Sequence, residues 1–370
     1  MELPTETDVF IAGGGPAGLV AAIAARRKGF RVVVADSAHS AIDKACGEGL
    51  MPDAVAALRS LGVTIAPDDY VPFRGIRFSS HGRSVAATFP SGVGFGVRRT
   101  TLHRILAAKA EEAGVTLLWN SPVVGLEGQR VLLRNHSLTA RFIVGADGAG
   151  SAIRRWAGLD ARVRDSQRFG FRRHFQVAPW TDHVEVHWAS GCQIYVTPVA
   201  ADRVNVALLS CSSDLRLQQA LPLFPDLMEK LRGAAPASTE RGSISASRRL
   251  RRVCHDRIAL IGDASGSVDA VTGEGLSLAF QQALALAAAM ELDDLGLYQK
   301  AHNRIRRRPA LMADLMLLMD QRDSLRRRVF SALSARPKVF ADMLSMHVHG
   351  FSPRVLATAA ITLGWSMFTA

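Results

Sequence analysis

The fold is decided near the start of the chain, by Asp8-Val9-Phe10-Ile11-Ala12-Gly13-Gly14-Gly15-Pro16-Ala17-Gly18, an alanine-rich stretch to Lys28, Gly29, and the β-branched run Arg31 to Ala35 that ends at Asp36. The apolar run reads as a strand, the alanine-rich stretch as a helix stopped by Gly29, and the second run as another strand. Together they form a βαβ unit. Gly13, Gly15 and Gly18 make a GxGxxG across its first turn, with Pro16 and Ala17 between the last two. The first glycine permits the tight turn, the second lets a pyrophosphate approach the backbone, and the third lets helix pack on strand. The helix N-terminus then offers unpaired N–H groups and a partial positive charge to phosphate. Asp36 is placed to accept hydrogen bonds from a ribose, and an acid there disfavours a 2′-phosphate, which leaves FAD or NAD.

Working outward, 370 residues with 48% hydrophobic and 21% charged side chains describe a globular chain long enough for two domains and a substantial core. Cys46, Cys192, Cys211 and Cys254 are scattered and form no CxxC pair, which argues against a disulfide framework or a structural zinc. His183 and His187, four apart in a strand, bring no third ligand with them, so no metal site is expected. The N-terminus lacks a charged-then-apolar leader, which reads as cytoplasmic. No uncharged apolar run reaches the roughly 20 residues of a spanning helix.

Thr101 to Ala113 has helical periodicity, and Val115 to Leu118, Val131 to Leu133 and Phe142 to Val144 read as strands. From Gly170 to Leu209 the pattern is strand-like and richer in aromatics, as in Val184-Glu185-Val186-His187-Trp188, and suits an antiparallel sheet. Arg257 to Ile261 is a short buried strand, followed by a glycine-rich turn and a helix from Gly275 to Met290. Beyond Leu295 the chain is helical in character, with breaks expected at Pro309, Pro337 and Gly350-Phe351-Ser352-Pro353.

Two later segments choose between the cofactors. Ile143-Val144-Gly145-Ala146-Asp147-Gly148-Ala149-Gly150-Ser151 and Ile258-Ala259-Leu260-Ile261-Gly262-Asp263-Ala264-Ser265-Gly266 each run strand, glycine, aspartate, turn. With the GxGxxG, over roughly residues 8–290, the sequence resembles the flavoprotein monooxygenase and reductase superfamily typified by para-hydroxybenzoate hydroxylase, with its "DG" and "GD" motifs at Asp147 and Asp263. The resemblance implies FAD, the carboxylate of Asp263 on the ribityl chain, and the backbone from Gly273 through Gly275 to Leu276 near the isoalloxazine. It also implies a flavin-side arginine, assigned to Arg99 rather than Arg98; His103 stands where that motif carries aspartate. Gly262, in the same motif as Asp263, is likewise implied to bind the cofactor. The implied fold class is α/β: a Rossmann-like FAD-binding domain (1–75, 95–160 and 245–295), an inserted antiparallel β-sheet substrate domain (76–94 and 161–244) and a C-terminal helical region (296–370).

Lys44-Ala45-Cys46-Gly47-Glu48-Gly49-Leu50-Met51-Pro52 and Val271-Thr272-Gly273-Glu274-Gly275-Leu276 resemble the geranylgeranyl reductase branch, with Ala270 in place of that branch's proline. Gln193-Ile194-Tyr195-Val196-Thr197-Pro198 is loosely similar to its strand over the flavin. A reduced flavin delivers hydride to a double bond, and a nearby acid must add the proton. Cys46 and Glu48 are the candidate acids, each with a bland alternative: a small hydrophobe in a loop for Cys46 and a backbone-capping carboxylate for Glu48. Tyr195 is either pocket lining or strand packing.

The expected function is therefore FAD-dependent reduction of carbon–carbon double bonds in an apolar small molecule, with NAD(P)H or ferredoxin as electron donor. The alternative is a monooxygenase hydroxylating an aromatic, phenolic or polyketide substrate through a C4a-hydroperoxyflavin. Halogenation is set aside because no W-x-W occurs. From Lys300 onward there are twelve Lys or Arg against four Asp. These basic clusters alternate with Leu and Met rather than stacking aromatics, which excludes nucleic acid and leaves either a solvated helical cap or a peripheral membrane contact.

Overall fold

The computed structural model describes residues 4–349. The opening unit forms as read: β1 (Glu6–Ala12), α1 (Pro16–Arg27) and β2 (Val32–Ala35). β1 lies between β2 and the strand His136–Gly145, parallel to both. Thr116–Leu118 extends the sheet beyond β2, and Ile258–Leu260 extends it beyond His136–Gly145, also in parallel. An antiparallel hairpin, Val123–Glu127 and Arg130–Leu133, hangs from the outer half of His136–Gly145. Val9, Phe10 and Ile11 are fully buried, so the strand is apolar without alternation. Ala21, Ala22, Ala24 and Ala25 give α1 a low-profile surface against Gly275–Glu291 and Arg99–Glu112.

A second sheet runs in the order Ala235–Pro236, Arg162–Gln176, Arg203–Ser210, Cys192–Ala200, His183–Ala189, Gly75–Ser80, Arg83–Thr88, with Arg241–Leu250 also paired to Arg162–Gln176. It is antiparallel except where His183–Ala189 runs parallel to Gly75–Ser80, because those strands come from distant parts of the chain. The aromatic-rich region is thus wider than Gly170 to Leu209. A small third sheet, Gly49–Leu50, Gly94–Gly96 and Val71–Phe73, stitches the first two together.

Three helices finish the described chain: Leu295–Gln321, Asp323–Ala335 and Pro337–His349. The break expected at Pro309 does not occur; the helix runs through it, and Pro309 is buried in the helix interior. The chain turns instead at Arg322, which is extended, and at Arg336, and Pro337 opens the next helix, where its missing N–H costs nothing. The helix expected from Val355 to Phe368, and the break at Gly350 to Pro353, lie outside the described residues.

These helices pack through Phe330, Leu333 and Phe340 against Val186, Trp188 and Val85 of the second sheet and Phe73 of the third. Within that contact Arg168 reaches Gln193 Oε1 (2.7 Å) and Asp320 Oδ2 (3.2 Å), and Gln193 also donates to Asp320. Arg168 Nη1 lies 3.6 Å from Asp269 Oδ1, and Ser247 donates to the same carboxylate (2.8 Å). All five side chains are buried.

Candidate active site

Along the carboxyl ends of the parallel strands lies a cavity of about 870 Å³, which continues between the second sheet and the C-terminal helices. Gly13, Gly15, Pro16, Ala17, Asp36, Arg99, Asp147, Gly262, Asp263, Gly273, Gly275 and Leu276 line it together with Cys46, Glu48 and Tyr195. Gly18 does not line it and serves the packing beneath.

The glycine turn shows why each position is glycine. Gly13 has φ +110, and a Cβ there would stand 2.4 Å from the Ala146 carbonyl oxygen. A Cβ on Gly18 would stand 1.9 Å from the Gly13 oxygen. Gly15 is different: a Cβ would meet nothing within 4 Å, because the position faces the cavity. No side chain caps α1 and its first turn holds no acid. Its amide ends and partial positive charge are therefore left to whatever fills the cavity. Asp36 accepts from the amides of Gly14 (2.7 Å) and Ala38 (2.8 Å), which fixes its carboxylate at the rim.

Asp147 uses one oxygen to cap the helix Ala152–Trp156, accepting from Ala152 (2.7 Å) and Ile153 (3.2 Å). Its other oxygen is buried and has no hydrogen-bond partner in the protein. A buried acceptor left alone costs about 1–3 kcal/mol, so this oxygen suits a ligand hydroxyl. Lys44 approaches Asp263 at 3.9 Å. Open glycines, uncapped helix dipole and an orphaned carboxylate oxygen in one crevice match what FAD requires.

His103, the departure from the motif, turns out to be structural. Its Nδ1 accepts from the Ala41 amide (3.2 Å), which leaves the ring hydrogen on Nε2 to bond the Gly14 carbonyl (2.9 Å). Burial lowers its pKa, against the pull of the Gly14 bond, so the ring is neutral while it props the phosphate turn.

The Cys46-Gly47-Glu48-Gly49 loop is pinned from several sides. Glu48, a non-glycine residue at φ +58, accepts from the Arg99 amide (2.8 Å) with one oxygen and lies 2.6 Å from His174 Nε2 with the other. Arg172 can only donate and points at His174 Nδ1 (3.4 Å), which assigns the ring hydrogen to Nε2 and hence a donor to Glu48. Arg172 also pairs with Asp43, and Asn205 donates to the Cys46 carbonyl (3.0 Å). Sequence reasoning missed His174: a lone histidine in a strand carries no signal of its partner 126 positions away. Cys46 is half-buried, and its sulfur accepts from the Glu48 amide at 3.4 Å.

Tyr195 is on the strand face that also presents Gln193 and Thr197, while Ile194 and Val196 point into the opposite core. Its hydroxyl donates to the Val271 carbonyl (2.7 Å), tying the sheet to the turn before Gly273, and burial pushes its pKa upward. Arg99 lines the cavity, and Arg98 does not. Past Tyr195 the walls are Phe78, Val186, Met312, Met316, Leu333 and Phe340. His183 and His187 pair instead with Asp182 (2.7 Å) and Glu185 (3.0 Å), away from this cavity.

Comparison with known proteins gives the same picture. A menaquinone reductase of Mycobacterium tuberculosis is 28% identical over 341 residues, spanning 85% of this chain and 81% of that protein. A digeranylgeranylglycerophospholipid reductase of Methanopyrus kandleri is 29% identical over 304 residues, spanning 74% and 77%. A geranylgeranyl bacteriochlorophyll reductase-like protein of Thermoplasma acidophilum shares the fold, with a TM-score of 0.74 and 20% identity over 98% of both chains. The family model described as FAD binding domain matches residues 6–293, and the chain belongs to that family as an FAD-dependent oxidoreductase.

Proposed function

We propose that the protein reduces carbon–carbon double bonds of an apolar substrate. One observation carries the reading: the crevice that suits FAD opens without interruption into a chamber walled by Phe78, Val186, Met312, Met316, Leu333 and Phe340. Such walls hold a hydrocarbon and offer nothing to a charged group. The two relatives named above, reductases of a quinone and of a geranylgeranyl lipid, support it.

When bound and reduced, FAD supplies a hydride. The chain must supply the proton and the dry setting. Cys46 is our choice of acid. It lines the cavity beside the crevice, and its thiol can pass a proton to the second carbon and be reprotonated from solvent. Glu48 is a poorer choice, because both of its oxygens are engaged in holding the loop. Tyr195, donating to Val271, positions the turn before Gly273. Electrons come from NAD(P)H or ferredoxin at the exposed side.

The test is anaerobic photoreduction followed by addition of an apolar polyene. Return of the oxidised spectrum without oxygen, at a rate set by the polyene, supports the reading. Reoxidation only on admitting oxygen, with a hydroxylated product, replaces it with the monooxygenase. Cys46→Ser should lower turnover roughly a hundredfold with the yellow colour retained, the range expected for loss of a general acid. Unchanged turnover would return Cys46 to packing.

A further inference from the structure

The helix Leu295–Gln321 does two things at once. Through Met312, Met316 and Met319 it walls the apolar chamber. On its outer side Leu311, Leu315 and Leu318 stand 44%, 41% and 38% exposed. Spacings of four and three put these leucines on a single helical face. Arg304, about two turns before Leu311, continues that face, and Arg322 stands just past the helix end in the extended turn; both are exposed. The result is an apolar stripe about 10 Å long with Arg304 before it, Arg322 just past the helix end, and the exposed Asp314 on its flank, three residues after Leu311 and four before Leu318. Leu315 belongs to both features: it lies on the exposed stripe and also lines the cavity, so the stripe sits at the chamber's mouth.

We propose that this stripe docks the protein on a bilayer surface carrying anionic lipid, and that the substrate passes from the lipid into the chamber beside Leu315. The inference rests on the proposed function for the identity of the cargo but not for the contact itself. Charge selects the occupant. The helix carries Lys300, Arg304, Arg306, Arg307 and Arg308 against Asp314 and Asp320. A second copy would place like charges against each other across a two-fold axis, whereas an anionic leaflet attracts them. Arginines at the ends of the stripe can reach phosphates while the leucines enter the acyl boundary, as interfacial helices do.

The test is flotation of the FAD-loaded full chain with vesicles of equal phosphatidylglycerol and phosphatidylcholine, and with phosphatidylcholine alone. The chain should float with the anionic vesicles and lose that binding in high salt. Leu311→Glu/Leu318→Glu touches no cavity-lining residue; it should weaken vesicle binding about tenfold or more while flavin content stays unchanged. Arg304→Gln/Arg322→Gln should weaken binding to the anionic vesicles only. Failure of the holoprotein to float, or equal flotation of the leucine variant, overturns the proposal. So does a wild-type dimer in sedimentation that the leucine substitutions disperse, since the stripe would then belong to a second copy. Reduction of a short, water-soluble alkene is measured in parallel. If it persists in the leucine variant, the chemistry stands whatever the vesicles show; if no alkene reoxidises the flavin, the reductase reading fails while flotation still decides the docking.

Discussion

At the scale of single residues, the two kinds of glycine in the phosphate turn separate binding from folding. Gly15→Val puts its Cβ where no protein atom lies within 4 Å, at φ −70, where valine is unstrained. It should fold and purify colourless, with secondary structure retained by circular dichroism and no uptake of added FAD. Gly18→Ala forces a carbon onto the Gly13 oxygen and should yield little soluble protein. His302 makes a different prediction. Its Nε2 donates to Ser265 Oγ (3.0 Å), its Nδ1 is buried without a partner, and burial, with Arg306 nearby, lowers its pKa from 6.5 to about 4. The unfolded chain therefore binds the extra proton first. Stability from this group is complete above pH 6.5 and is lost as pH falls toward 4. The unfolding free energy from urea titration should fall by about 2 kcal/mol between pH 7 and 5, and His302→Gln should remove most of that slope.

At the scale of elements, the loop from Asp43 to Gly49 owes its shape to partners in the second sheet. Glu48→Ala would leave the Arg99 amide and the His174 ring without an acceptor, costing about 3 kcal/mol. His174→Ala should cost a similar amount, and the double variant clearly less than the sum, because the two changes remove one shared contact. A chemical-denaturation cycle measures it. This loop also marks where sequence stops being informative. The βαβ unit was legible because glycine, alanine and β-branched runs act locally, and its elements fall within a residue or two of those read. The Pro309 break was misread because a local rule was overridden by packing: the helix is held on both sides of the proline by the sheet and by Gly275–Glu291. The clasp of Glu48 by His174 was invisible, since it depends on a strand pairing that no local pattern announces.

For the whole molecule, the buried cluster of Arg168, Gln193, Asp320 and Asp269 joins the helical cap to the sheet and to the turn that Tyr195 holds. Asp320→Leu takes one of two carboxylates from Arg168, which keeps Asp269 at 3.6 Å, and leaves Gln193 without its acceptor; it should cost about 1–3 kcal/mol, read as a fall in melting temperature. Arg168→Met/Asp320→Leu should not recover that loss, because the buried Asp269 carboxylate then loses the guanidinium beside it. FAD-binding architecture and family could be read from three motifs because each is a short turn with strict backbone demands. The chamber could not, since its walls are ordinary Met, Leu and Phe made special only by where three helices end up. That division of labour has an evolutionary corollary. The stretch from Met312 to Leu344 shapes the chamber while contributing none of the glycine motifs. A lineage could therefore change what the chamber admits by rewriting the codons of those helices alone, leaving the flavin crevice untouched.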